Sequence, residues 1–304
     1  MQFPEPFTSN IRHSFGETGK KFLTDLPALI EEASQLWELT EVQPVPNLSY
    51  NFVAFAKRGH EKVILKIGVP NRELVSEMEA LQLFNGDGAC QILDYDEEKG
   101  FLLIEQLQPG RMLAELEDDD ERTHIAIQVM KKIWRPAPDA GKFIRLKDWF
   151  AELQNIRPSF DGTTGPYPNG LLERVESFLP ELFTDEHHLI HGDFHHFNVL
   201  SSERGWLAID PKGVIGPSGY EIGPLMLNPW DNSMGSAQPA LSLIEGFEVR
   251  AKRRVDLLSE GLGWEREKII QWSTAHAVLS SWWDYPAGDW RYSLRCARIF
   301  SELK

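Results

Sequence analysis

The feature that most constrains this chain is a strand-like island, Leu189 to Ile209, set inside a C-terminal half that otherwise reads as helix. The island runs Leu189-Ile-His-Gly-Asp-Phe-His-His-Phe-Asn-Val-Leu200 and then Trp206-Leu-Ala-Ile-Asp-Pro-Lys-Gly213, so short apolar strands deliver polar residues to loops. Helical spacing precedes it near His124 to Ile133, Leu146 to Ile156 and Leu171 to Phe183. It resumes near Ala240 to Leu258, Glu265 to Asp284 and Trp290 to Leu303.

The N-terminal part has a different texture. Asp25 to Leu39 is spaced for an opening helix, with Asp25 as its cap ahead of Pro27. Residues 51–56 and 62–67 form β-like runs joined by Lys57-Arg-Gly-His60, which predicts a hairpin. A helix follows over Glu73 to Phe84 and stops at Asn85-Gly-Asp-Gly88, and strands are expected at Gln91 to Tyr95 and Phe101 to Glu105. Pro109-Gly110 punctuates the change to helix, and the acidic run Glu117 to Glu121 reads as a solvated helix start. The order predicts an α+β chain of two lobes, a small β-rich lobe over residues 1–105 and a larger, mainly helical lobe over 106–304, with the site between them.

With 304 residues and 42% hydrophobic content, the chain can bury such cores. Its formal charge of -15 repels nucleic acid and anionic lipid, and either serves solubility or, where acidic groups line a cleft, favours cationic substrates. Cys90 and Cys296 are too few and too far apart for a disulfide scaffold, so both are expected as buried free thiols in a reducing compartment. Met1-Gln-Phe-Pro-Glu-Pro lacks the basic start and apolar stretch of a signal peptide, and no run reaches membrane-spanning length, so a cytoplasmic location is expected. Oligomeric state is not readable.

The chemistry sits at the ends of the island strands. Phosphoryl transfer needs a carboxylate to orient the attacking hydroxyl and oxygen ligands for the magnesium that bridges the nucleotide phosphates. Asp193, Asn198 and Asp210 supply that set, with Asp five residues before Asn on a loop and a second Asp after the next apolar strand. At these residues the chain resembles the aminoglycoside phosphotransferase family and, within it, the streptomycin and hydroxyurea phosphotransferase group. The resemblance rests on His-Gly-Asp-Phe-His-His-Phe-Asn-Val-Leu from His191 and Leu-Ala-Ile-Asp-Pro-Lys-Gly from Leu207. It extends more weakly from Leu48-Ser-Tyr-Asn51 through Val63-Ile-Leu-Lys66 to Ser280-Ser-Trp-Trp283 and so covers most of the chain. It implies a protein-kinase-like fold, ATP and Mg²⁺ in the cleft, and transfer of the γ-phosphoryl group to a hydroxyl of a small molecule. Streptomycin-like aminoglycosides lead, with hydroxyurea-like compounds and unknown cellular metabolites behind.

In those terms Asp193 is the catalytic base and Asn198 and Asp210 are the metal ligands. Lys66 closes an apolar strand where kinases place the lysine that touches the phosphates, and its orienting carboxylate is Glu77, with Glu73 as the alternative. Asn47-Leu-Ser-Tyr-Asn-Phe52 has no glycine, so Ser49 and Asn51 either donate side-chain bonds to phosphate or merely stabilise a turn. Glu105-Gln-Leu107 falls where the lobes join, placing the backbone of Glu105 and Leu107 for adenine. His195 lies near the transferring phosphoryl. Lys212 is either a cation acting on that group or a surface lysine paired with Glu221. Aromatic and acidic neighbours at Trp230-Asp231, Trp282-Trp-Asp284 and Asp289-Trp290 are candidates for a cationic acceptor, against the blander reading of tryptophans in the core. Two other classes compete. One is a metal-dependent hydrolase built on His187, His188, His191, His195 and His196; the other is a kinase-like binding module without catalysis.

Overall fold

The computed structural model describes residues 3–139, 141–230 and 241–304. The chain opens with helix α1 (Glu5–Leu36), which buries Phe7, Ile11, Phe22, Leu26, Ile30 and Ala33 as one stripe and bends at Gly16 (φ 54°, ψ -127°). The expected start at Asp25 is therefore about one long helical segment too late. Pro27 lies inside the helix, where burial of the stripe on both sides outweighs the local cost of proline. Strands β1 (Leu39–Pro44), β2 (Phe52–Arg58) and β3 (Glu61–Ile67) follow, then α2 (Arg72–Phe84), β4 (Ile92–Asp96) and β5 (Phe101–Glu105). The five strands form one antiparallel sheet in the order β1-β2-β3-β5-β4. Alternation along it sends Phe52, Ala54, Val63, Leu65, Phe101 and Leu103 against α1. Leu102 and Ile104, on the other face, pack with Leu74, Met78 and Leu81 of α2.

Asn71 caps α2 by accepting the amides of Glu73 (2.7 Å) and Leu74 (3.1 Å), and Asn85 ends it in a left-handed conformation. Although α2 is inserted between β3 and β4 of the sheet, it also bonds across to the other lobe. Arg72 donates to the Phe143 carbonyl (2.9 Å), Ser76 Oγ to the Gly213 carbonyl (2.6 Å), and Glu79 accepts the Lys142 amide (2.7 Å).

Beyond Glu105 come β6 (Pro109–Met112), α3 (Asp119–Ile133), β7 (Arg135–Pro136), β8 (Ile144–Arg145), α4 (Leu146–Ala151), α5 (Ile156–Ser159) and α6 (Leu171–Leu182). The chain continues through β9 (His187–Ile190), β10 (Val199–Ser202), β11 (Gly205–Ala208), β12 (Val214–Pro217), α7 (Ile222–Leu227), α8 (Leu241–Leu262), α9 (Arg266–Asp284) and α10 (Arg291–Glu302). The island is shared between two small sheets, β11-β10-β6 and β7-β9-β12-β8, backed by the helices. The acidic run is not simply solvated. Asp118 caps α3, while Asp119 receives both Nε (2.8 Å) and Nη2 (2.6 Å) of Arg254, whose residue is 2% exposed. Arg254 Nη1 also donates to the carbonyls of Leu225 (3.1 Å) and Asn228 (2.5 Å), tying α8 to α3 and α7. Both cysteines are buried free thiols, and among the described residues no helix is long and apolar enough to cross a membrane.

Candidate active site

The loop between β9 and β10 is built on buried hydrogen bonds. His191 is fully buried, with Nε2 bonded to the Ile209 carbonyl (2.8 Å) and Nδ1 accepting the Asp193 amide (3.2 Å). Burial pulls its imidazole down to about 4, so it is neutral, and the two bonds select the tautomer protonated on Nε2. Gly192 adopts φ +85°, and a Cβ there would stand 2.4 Å from Val214 Cγ2. Its amide donates to Oε1 of the buried Glu221 (2.7 Å). Asn198 Nδ2 donates to the Asp193 carbonyl (3.0 Å), which leaves the amide oxygen as the atom able to meet a cation. Asp193 keeps its carboxylate half-exposed, with His195 Nε2 at 3.7 Å.

The second loop follows β11. Asp210 holds φ +57°, uncommon for a residue with a side chain, and the amides of Lys212 (2.7 Å) and Gly213 (3.2 Å) converge on the His191 carbonyl. Lys66 Nζ reaches both Glu77 oxygens at 2.6 Å and Oδ1 of Asp210. Burial disfavours that ammonium, but Asp210 and Glu77 outweigh it and hold its pKa above the ordinary value. Lys66 in turn holds Asp210 below the usual carboxylate range. Glu73 does not face Lys66. One turn earlier on α2, its Oε2 lies 3.7 Å from Lys212 Nζ, and Lys212 does not meet Glu221, which is committed to Gly192. Magnesium fits this donor set. Asn198 Oδ1 and the half-exposed Asp210 carboxylate are hard oxygens, and magnesium commonly takes one or two protein ligands beside phosphate and water.

Glu221 carries its own prediction. Burial pushes its carboxyl up to about 8; the Gly192 amide opposes the rise and Asp193 adds to it, while Oε2 has no hydrogen-bond partner. An unfolded glutamate titrates near ~4.3, so above that pH the unfolded chain sheds a proton that the folded chain retains. The contribution of this group to stability is complete below the unfolded value and is lost as pH rises through about 8. Glu221→Gln keeps the acceptor oxygen and cannot titrate. The stability of wild type minus that of the variant should therefore fall from about pH 5 to about pH 8. Denaturant titrations giving a difference independent of pH would show that the carboxyl is not held protonated.

The residues read for nucleotide are less uniform. Ser49 is exposed, and its carbonyl accepts Asn10 Nδ2 (3.4 Å). Asn51 packs its Oδ1 against Gly68, and the pairing of Val53 with Lys66 brings this loop off the sheet beside the lysine. Glu105 gives its amide to Gln91 (3.0 Å), and its carboxylate takes the Gln91 amide (2.6 Å) and pairs with Arg204. Its backbone donor is therefore already used. Leu107 is buried with Cys90, Ile104 and Leu207, and the partly buried Ile64, Leu200 and Ile209 pack on the same cluster. That apolar wall draws on both lobes.

A cavity of about 520 Å³ opens at Asp193, His195, Gly192 and Lys212, with Glu73 at its edge and Trp149, Glu152, Trp230 and Trp283 in its walls. Of the expected aromatic and acidic neighbours, Trp230 and Trp283 line it. Trp282 stacks on Tyr285, Trp290 leans on the same ring, and Asp284 is held by Ser280, so these belong to packing. Asp289 is exposed and does not line the cavity, and Asp231 lies outside the described residues. Trp149 and Glu152 are not singled out in the sequence, where they read as an ordinary helix. Their spacing of three, aromatic then acidic, is the only signal. The histidines separate: His191 and His196 are buried on different partners, and His187 is exposed. Among the described residues no group of three or more His, Cys, Asp or Glu side chains is placed to hold a metal ion.

The family model for aminoglycoside/hydroxyurea antibiotic resistance kinases matches residues 37–288. The chain is 29% identical to streptomycin 6-kinase of Streptomyces glaucescens, over 95% of this chain and 92% of that one. It is 27% identical to hydroxyurea phosphotransferase of Kitasatospora aureofaciens, over 90% and 77%. The fold is similar to that of the choline kinase LicA from Streptococcus pneumoniae (TM-score 0.59, 16% identity, 90% of this chain and 98% of that one), a protein also solved with AMP. The two-lobed architecture is protein-kinase-like.

Proposed function

The chain belongs to the aminoglycoside/hydroxyurea antibiotic resistance kinases, and from that premise we propose that it transfers the γ-phosphoryl group of ATP, with magnesium, to a hydroxyl of a cationic aminoglycoside of the streptomycin type. One observation carries the reading: Asp193 and Lys212 line a single cavity of about 520 Å³, on loops tied directly to the array of buried Lys66 and Glu77 with the half-exposed Asp210. That volume lies within the range of ~300–1,000 Å³ that encloses drug-sized ligands, and a molecule as small as hydroxyurea would leave most of it to water. The wall carries the carboxylates of Glu73, Glu152 and Asp193 against one lysine, which favours a cationic acceptor.

In this reading residues 1–105 and 106–304 divide the work. Lys66, held by Glu77, meets the nucleotide phosphates, assisted by Ser49 and Asn51. The apolar wall at Leu107 takes the adenine, with polar contacts from the backbone around Glu105 other than the amide already in use. Asn198 and Asp210 would hold magnesium, which would supply charge neutralisation at the phosphates. Asp193 accepts the proton of the acceptor hydroxyl and aims its oxygen. His195 and Lys212 face the group in transit. Dependence on ATP assigns the reaction to the cytoplasm. That LicA, similar in fold, is solved in complex with AMP supports a nucleotide as a ligand of this chain.

The test is a phosphorylation assay with Mg-ATP, presenting streptomycin, other aminoglycosides, simple sugars and hydroxyurea. Streptomycin should be phosphorylated and hydroxyurea should not. Turnover of hydroxyurea without any aminoglycoside would overturn the acceptor assigned here.

A further inference from the structure

Glu152 stands in the cavity wall with no cationic partner among the described residues. Its one hydrogen bond comes from Trp283 Nε1, which donates to Oε2 at 2.9 Å and leaves Oε1 open. Trp283 meets Trp149 edge to face, with ring centroids 5.4 Å apart and planes at 87°. Trp149 leans on Tyr220 at 5.8 Å, and the Tyr220 hydroxyl meets His276 Nδ1 at 3.0 Å. Trp149 and Glu152 lie three residues apart on successive helical turns, and Trp283 comes from α9, so two separate elements fix the group. The other carboxylates on the cavity are differently engaged: Glu73 pairs with Lys212, and Asp193 is faced by His195.

An unpaired carboxylate on an open surface is simply hydrated. This one is held by an indole N–H, beside two rings set at right angles, in a concave wall. A lysine-like ammonium would use the charge but not the planes. A guanidinium uses both, because it is flat, weakly hydrated and able to stack on an aromatic face while its N–H groups reach a carboxylate. We propose that Trp149, Glu152 and Trp283 form a guanidinium subsite that selects the acceptor. The proposal rests on the kinase reading only in taking this cavity as the acceptor's.

The test separates binding from transfer. Without nucleotide, binding of streptidine, a cyclitol bearing two guanidino groups, is compared by calorimetry with binding of 2-deoxystreptamine, a related cyclitol bearing two amines. Wild type should prefer streptidine by about tenfold or more, a difference of ~1.4 kcal/mol. Glu152→Gln should narrow that preference, weakening streptidine about tenfold and 2-deoxystreptamine by clearly less, because the guanidinium loses both the charge and its bidentate contact whereas the ammonium loses the charge alone. Trp283→Phe, which removes the N–H and keeps a ring, should weaken streptidine less than Glu152→Gln does and decides the matter if the first variant does not fold. Equal affinity for the two cyclitols in wild type, or streptidine binding unchanged in the variants, overturns the subsite. Streptomycin turned over with the same KM by wild type and Glu152→Gln also overturns it and leaves the kinase reading standing. A guanidino preference narrowed in Glu152→Gln, with no acceptor phosphorylated by wild type, upholds the subsite and overturns the kinase reading.

Discussion

Asp193→Asn should lower phosphoryl transfer to the acceptor by about 10²–10⁴-fold while ATP affinity changes little. The substitution keeps the shape of the side chain and leaves the backbone bonds of the loop, the His191–Asp193 amide contact and the Asn198 bond to the Asp193 carbonyl, in place. What it removes is a proton acceptor beside the attacking oxygen. In the proposed reading nucleotide is held elsewhere, by Lys66 and through Asn198 and Asp210, so an ATP titration should give nearly the wild-type curve. Single-turnover measurement is the direct check. Residual transfer above about a tenth of wild type would exclude Asp193 as the base.

Lys212→Ala should lower turnover by about 30- to 1,000-fold, corresponding to ~2–4 kcal/mol of transition-state stabilisation, with ATP affinity again little changed. Pro211 fixes its own φ and supplies no amide, and the Lys212 amide is bonded to the His191 carbonyl, so the backbone that carries this lysine is stiff. Asp210, Glu73 and Asp193 together raise its pKa against the effect of burial, which keeps the ammonium charged. A fixed positive charge in the same wall as the base costs no reorganisation when charge moves onto the departing phosphoryl oxygens. Unchanged kinetics would make Lys212 a surface lysine resting on Glu73, and a loss confined to ATP affinity would make it a ground-state phosphate contact.

The loops that carry Asp193, Asn198 and Asp210 are legible in the sequence because their geometry is local. Asp193 and Asn198 are five residues apart, Asp210 ends the next strand, and the apolar runs between them leave little freedom in how they are presented. The hairpin carrying Lys66 is legible for the same reason. Long-range pairings are not. Asp119 reads as a solvated acid because Arg254, its partner, is 135 residues away. Glu152 and Trp283 are 131 residues apart and look like ordinary helix positions until two helices bring them together. The start of α1 is missed because Asp25 ahead of Pro27 reads as a helix cap, whereas Phe7 and Ile11 continue the buried stripe across the bend at Gly16. Helix α7 is missed because the glycines and prolines around it read as loop, whereas complete burial of Ile222 to Leu227 sustains it.

The cross-bracing of α2 dictates how the two lobes can part. Arg72, Ser76 and Glu79 fasten this helix to the lower lobe with directional bonds, whereas its contact with the upper sheet is mostly apolar, at Leu74, Met78 and Leu81, with polar links from Gln82 to Tyr95 and from Glu77 to Lys66. The plane of easiest slip therefore runs between helix and sheet, so α2 stays with the lower body while the strands ride over it. Lys66 is carried by the sheet, and Glu77 and Asp210 are carried by what lies beneath. Any parting of the sheet from the helix would have to draw that ammonium away from Glu77 and Asp210, so the same buried charges that set its protonation would also resist such a movement.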